Sequence, residues 1–209
     1  MPKTQAAERA RSGDAAARSL AELRTQIDAI DDALLDLIEK RLAASQSVAT
    51  LKSARPDGHL WMHPRREQEV IARLSRRASI APHRLVELVW RELMAFSLQA
   101  QVRTELVLAG PDPDRLEGLA RRRFGSAAPV RCAADPAEAI AAASSGEAVA
   151  VIAFDGSAEW IERLPPTLSI FDWVRDEEGE AVAAAVGRIA PAELPEPAIS
   201  AQAEAESER

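Results

Sequence analysis

The chain has 209 residues, 26 Lys and Arg against 33 Asp and Glu, a formal net charge of −7 and 47% hydrophobic residues. That is enough for one or two cored domains and too acidic overall for a general nucleic-acid binder. A single cysteine, Cys132, and three scattered histidines exclude a disulfide framework and a His- or Cys-based metal site, and with no apolar run near the ~18 residues of a membrane span and no signal-peptide block in the first twenty residues, a soluble cytoplasmic protein is expected.

The totals conceal an asymmetry. Residues 1–103 carry 17 Lys and Arg against 13 Asp and Glu, a net +4, while residues 104–209 carry 9 against 20, a net −11. Two glycines fall in the first stretch and seven in the second. Two differently built units are therefore expected, joined near residue 103: an all-α unit over 19–103 and a small α/β unit over 104–190. Residues 1–18 and 191–209 are polar and rich in Ala, Glu and Pro, and are read as a disordered arm and a disordered acidic tail.

From Leu20 to Lys52 there is neither Gly nor Pro, and apolar residues recur at Leu20, Leu23, Ile27, Ile30, Leu34, Leu37, Leu42 and Val48. The spacing predicts a long helix with Ser19 as N-cap and Glu22 closing a capping box. It ends at the turn Arg55-Pro56-Asp57-Gly58. At ~1.5 Å per residue it would be ~50 Å long and overhang its own domain, so its stripe is expected to pack on a second copy of the chain. A second helix begins at Pro64, with Val70, Ile71 and Leu74 inward, and ends by Ala78. A third opens at Pro82 and runs to about Val102. In the second half, 105–111 reads as a strand and turn, 114–124 as a helix closed by Gly125, and 130–133 as a strand. Residues 136–143 form a helix capped by Asp135, 148–154 a strand, 157–164 a helix, and 168–174 with 180–189 a hairpin. The alternation suggests a small α/β layer.

Some polar residues fall on inward faces. Arg41, Ser45 and Lys52 share a stripe with Leu34, Leu37 and Val48. Ser97 and Gln101 share one with Val86, Trp90 and Met94. Glu67 shares one with Val70 and Ile71. A single Arg beside an apolar stripe ordinarily reaches out to solvent, and a single Ser bonds its own backbone. Together, Arg24, Arg41, Lys52, Glu67 and Gln101 describe a cavity for a small dianion, since buried cations need anionic partners and guanidinium forks suit carboxylates.

These residues resemble a known family. The stretch Leu23-Arg24-Thr25-Gln26-Ile27-Asp28, then Leu34-Leu35, Arg41, Val48 and Lys52, is similar to the first helix of the all-helical (AroQ-class) chorismate mutases. Pro64-Arg65-Arg66-Glu67 resembles the start of that family's second helix, and Trp90 to Gln101 its last. The resemblance, which covers roughly 19–103, implies an intertwined helical homodimer and rearrangement of chorismate to prephenate on the way to Phe and Tyr; with the α/β segment the chain is read as multi-domain, an all-α unit followed by a small α/β domain. It implies that Arg41 and Arg24 grip the two carboxylates, with Arg24 supplied by the partner subunit. Lys52 and Gln101 would donate to the ether oxygen and Glu67 would hold the ring hydroxyl. Val48, Arg66 and Ser97 would complete the substrate pocket. His63 stands where many members carry Asp. No metal and no cofactor are implied.

The α/β segment faintly resembles one lobe of prephenate dehydratase, through Ala109-Gly110-Pro111, Arg121–Gly125 and Gly187-Arg188. It is too short for both lobes. It reads Ala181-Val182-Ala183 where that family carries Thr-Arg-Phe, so no dehydratase activity is expected. Two rival readings share the helical pocket: an isochorismate-pyruvate lyase, and a non-catalytic effector-binding regulatory dimer. Retention of both Glu67 and Gln101 favours the mutase.

Overall fold

The computed structural model describes the backbone of residues 2–51, 58–154 and 159–195, and the side chains of 19–48, 58–154 and 159–195. The described chain separates into compact units at 1–44 and 45–209. The first is most of helix α1, Pro2–Leu51. This helix starts seventeen residues before the expected Ser19 cap, and the expected disordered arm is helical backbone. The reason is composition: residues 2–18 hold six alanines among Arg, Glu, Lys and Gln, all strong helix formers, with Pro2 in the first turn. An apolar stripe is needed to bury a helix, not to form one. The stripe over 20–37 lies in the open, with Leu20, Leu23, Ile27, Ile30 and Leu34 50–57% exposed.

Helices α2 (Pro64–Arg77) and α3 (His83–Gln101) follow and pack together. Both match expectation in start, end and inward face, with Ile71, Val86 and Ser97 buried. Five strands then form one sheet: β1 (Glu105–Ala109), β2 (Val130–Cys132), β3 (Ala148–Ala153), β4 (Ser169–Arg175) and β5 (Ala181–Gly187), in the order β2-β1-β3-β5-β4. The first three are parallel to one another; β5 runs antiparallel to β3 and closes a hairpin with β4. Helix α4 (Pro113–Phe124) links β1 to β2, and α5 (Pro136–Ser144) links β2 to β3. Both start on an aspartate cap: Asp112 accepts from the Arg115 N–H at 3.1 Å, and Asp135 from the Glu138 N–H at 2.8 Å. A short helix, α6 (Glu159–Glu162), precedes the hairpin.

Alternation along the strands builds a core on each side of the sheet. Leu106, Leu108, Val149 and Val151 face α4 with Phe124 and Phe171. Val107, Ala150, Ile152 and Val186 face the other way, against Ala139 and Ala143 of α5 and Trp160 of α6. Burial on both faces explains the continuous apolar run over 148–153.

The helical pair is not a separate body. Leu60 and Met62, just before α2, lie in the core on the α4 side, and the Leu60 N–H donates to the Arg188 carbonyl at 2.8 Å. Helix α3 packs on α4. At the α3–β1 junction, the Gln99 amide brackets Thr104: Nε2 donates to its carbonyl at 2.7 Å and Oε1 accepts from its N–H at 3.3 Å. The first residues of the expected disordered tail are ordered too. A 3₁₀ turn spans Pro191–Glu193, and Leu194 packs on the core. The rest of that tail (196–209), the start of the expected 157–164 helix and most of the Arg55–Gly58 turn lie outside the described residues. No described helix is long and apolar enough to cross a membrane.

Gly146 sits in the α5–β3 connection at φ +81°, and a Cβ there would lie 1.9 Å from the Gly58 carbonyl oxygen. Both the dihedral and the close approach exclude side chains. Gly146→Ala is expected to destabilise the α/β unit by about 3 kcal/mol, measured by urea unfolding; a loss under about 0.5 kcal/mol would show that the two backbones part freely.

Candidate active site

The expected site residues fall into three groups. Arg24 and Arg41 lie on α1, the first exposed and the second half-buried. Seventeen residues separate them, which on one helix is ~26 Å along the axis and ~100° around it. One small ligand therefore cannot be gripped by both from the same chain. Val48, on the same helix, is exposed. Lys52 lies outside the described residues.

Helix α2 carries the second group. Pro64 supplies a preset first turn, and the Glu67 N–H bonds the His63 carbonyl at 3.0 Å. Glu67 thus sits in the first turn, where a carboxylate is favoured by the helix dipole. Its two expected neighbours go elsewhere. The Arg66 side chain is 65% exposed and donates to Glu69 at 3.1 Å, because one helix position rotates it ~100° from Glu67. The His63 ring is taken up by Glu193 of the 3₁₀ turn, 3.0 Å from Nδ1. In this structure the side chains of Arg66 and His63 thus rest on Glu69 and Glu193, not on Glu67.

Helix α3 carries the third. Ser97 is buried and its Oγ donates to the Leu93 carbonyl at 2.6 Å. Gln101 Nε2 donates to the Ser97 carbonyl at 3.1 Å. These are bonds to the preceding helical turn, the ordinary resting partners of such residues. They share one face, as their spacing requires.

Glu67 has a different setting. Its Oε2 accepts from Arg123 Nη1 of α4 at 3.4 Å. The same guanidinium is bound through Nε and Nη2 to Asp172 of β4. The Arg123 carbonyl accepts from Arg91 Nη1 of α3 at 2.9 Å, and Arg91 Nη2 is paired with Glu87. The buried Arg91 Nε has no hydrogen-bond partner among the described residues. Arg123 is only 11% and Glu67 19% exposed at the side chain. The cluster lines a cleft of about 420 Å³ between the helical pair and the α4–β4 face.

Burial pushes the Glu67 carboxyl above its ordinary range, against the pull of Arg123 and Arg91. Burial also works to lower Arg123, but Asp172 and Glu67 outweigh it and the net direction is up. Arg91 is lowered, first by burial and then by the neighbouring Arg123 charge.

Sequence reasoning missed Arg123, Asp172 and Arg91. A signal existed for one of them: Asp172 interrupts an apolar strand, Ile170-Phe171-Asp172-Trp173-Val174, and a carboxylate in such a place requires a buried partner. Among the described residues no group of three His, Cys, Asp or Glu is placed to hold a metal.

A carboxyl whose pKa is raised on folding contributes its full stability below its ordinary value and loses it as pH rises through the folded value. The urea midpoint of the parent is therefore expected to fall relative to that of Glu67→Gln as pH rises from the ordinary glutamate value of about 4. A midpoint difference that does not change with pH would contradict the raised carboxyl.

Comparison with known proteins bears on the helical segment. Residues 23–102 match the family model for chorismate mutase type II. A curated relative, the bifunctional chorismate mutase/prephenate dehydratase of Stutzerimonas stutzeri, is 30% identical over 121 residues, an alignment taking in 52% of this chain and 31% of the relative. The chain thus spans about a third of that relative's length. No solved structure matches the chain.

Proposed function

We propose that the chain is a chorismate mutase, rearranging chorismate to prephenate in the route to phenylalanine and tyrosine. The observation that carries this is the family match over residues 23–102. That span contains Arg24, Arg41, Val48, Lys52, His63, Arg66, Glu67, Ser97 and Gln101, the positions the resemblance assigns to the site, with His63 standing where many members carry Asp. A [3,3] rearrangement needs a dianion held in its reactive conformer and positive charge where the ether oxygen gains electron density. Arg24 and Arg41 supply carboxylate grips, Lys52 and Gln101 the donors to that oxygen, and Glu67 an acceptor for the ring hydroxyl. No nucleophile, external proton or redox partner enters the reaction.

The working unit in this reading is a homodimer. Two observations support it: the axial and angular separation of Arg24 and Arg41, and the open apolar stripe of α1. A second copy covers the stripe and brings its own Arg24 to the other chain's Arg41. In the same reading the α/β segment is a reduced lobe without dehydratase activity, given Ala181-Val182-Ala183 and its single sheet. The protein works in the cytoplasm, free of membranes and nucleic acid.

Purified protein offered chorismate, isochorismate and prephenate separately is expected to consume chorismate and release prephenate. Pyruvate release from isochorismate would favour the lyase, and turnover of none of the three a non-catalytic dimer. Lys52→Ala is expected to lower kcat more than about 100-fold with helical content unchanged by circular dichroism. Mixing Arg24→Ala with Lys52→Ala chains is expected to recover activity, because one site of each heterodimer keeps both residues; a mixture as inactive as its components would argue against a shared site.

A further inference from the structure

The cluster around Glu67 contains three carboxylates, Glu67, Glu87 and Asp172, against two guanidiniums, Arg91 and Arg123. Asp172 alone already balances Arg123, and Glu87 balances Arg91. Glu67 is the surplus acceptor: its Oε2 rests on Arg123 at 3.4 Å, and the residue lines the cleft. We infer that Arg123, fixed by Asp172, is a positioning residue for Glu67, so that a side chain of the α/β half aims a carboxylate of the helical half at the substrate hydroxyl. This rests on the mutase reading above.

The geometry supports a fixed aim. Two nitrogens of Arg123 are held by one aspartate, whose other oxygen accepts the Trp173 N–H at 2.8 Å. The Arg123 backbone is tied to Arg91, and its guanidinium lies 4.9 Å over the Phe124 ring. The guanidinium thus presents Nη1 to Glu67 from a frame that spans α3, α4 and β4. A cation so placed pulls against burial and favours the charged form of the carboxylate and its acceptor lone pairs. The other charged groups near it are accounted for. Arg66 on its own helix turns to Glu69, and His63 turns to Glu193. Arg84, Arg122, Arg175, Asp176 and Glu177 also line the cleft.

The test uses the full chain and chorismate across a pH series. Arg123→Gln is expected to raise KM about tenfold or more, with a smaller change in kcat. The acid limb of kcat/KM should move up by about one to three pH units, with recovery at the alkaline end. Arg123→Lys should restore the limb, and Glu67→Gln should lack it. Because Arg123→Gln strands Asp172, the double variant Arg123→Gln/Asp172→Asn provides the same reading in a frame without the stranded charge. In parallel, carbon-13 NMR of the glutamate carboxyls, with Glu67 assigned from the Glu67→Gln spectrum, should show the Glu67 midpoint rising in Arg123→Gln. An equal loss at every pH with an unmoved limb and midpoint overturns the role of Arg123 and leaves it structural. Faster turnover in Arg123→Gln also overturns it. A parent chain that consumes no chorismate overturns the mutase reading itself, and the positioning role with it; a parent that is active while only the Arg123 variants fail expectation overturns the positioning role alone.

Discussion

A buried guanidinium must find carboxylates, and much of the C-terminal unit is arranged around that demand at Arg123. Taking a cation out of water without a partner is among the most costly steps in folding. Here α4 turns Leu116, Leu119, Ala120 and Phe124 into the sheet, which leaves Arg123 at the edge of the same face with little solvent. Asp172 reaches it from β4 and Glu67 from α2. Three elements distant in sequence are held to one atom group. The register of α4, the hairpin carrying Asp172 and the first turn of α2 must all agree for the charges to close.

The direction of this tie runs against the bulk charges. A basic helical half and an acidic α/β half would be expected to meet through helical cations and α/β carboxylates. The central contact instead takes its cation from the acidic half and its surplus carboxylate from the basic one. Net charge describes the long-range field of each half; it does not describe what happens where water is excluded and individual pairs dominate.

Local rules were enough for most of the elements. Proline at the first turn marks α2, and aspartate caps mark α4 and α5. Short continuous apolar runs mark β1 and β3. The start of α1 was not legible in the same way, because alanine-rich helix needs no stripe, and the Ser19–Glu22 pair, which has the pattern of a cap, lies inside the helix. The site was legible where periodicity acts: Glu67, Ser97 and Gln101 face inward as their spacing requires. It was not legible where partners come from afar. Arg121, Arg122 and Arg123 are three equivalent letters in sequence. Arg121 takes Glu117 one turn back, Arg122 takes an exposed Glu177, and only Arg123 is buried. Helix spacing can anticipate the first pair; the other two depend on which strand lies alongside. Arg24 and Arg41 mark a further limit, since seventeen residues on one helix set them ~26 Å apart.

The strand order β2-β1-β3-β5-β4 places the last strand in sequence inside the sheet, between β3 and β4. During synthesis, therefore, β3 emerges with an unpaired edge and waits for residues 181–187 before its antiparallel partner exists. The Leu60 N–H waits as well, because its acceptor is the Arg188 carbonyl just beyond β5. A nascent chain stopped short of that point holds a bare strand edge and an undocked start of α2. Such an intermediate is the kind that aggregates or recruits chaperones. The start of α2, although made before the sheet, is seated only once β5 and Arg188 have been made.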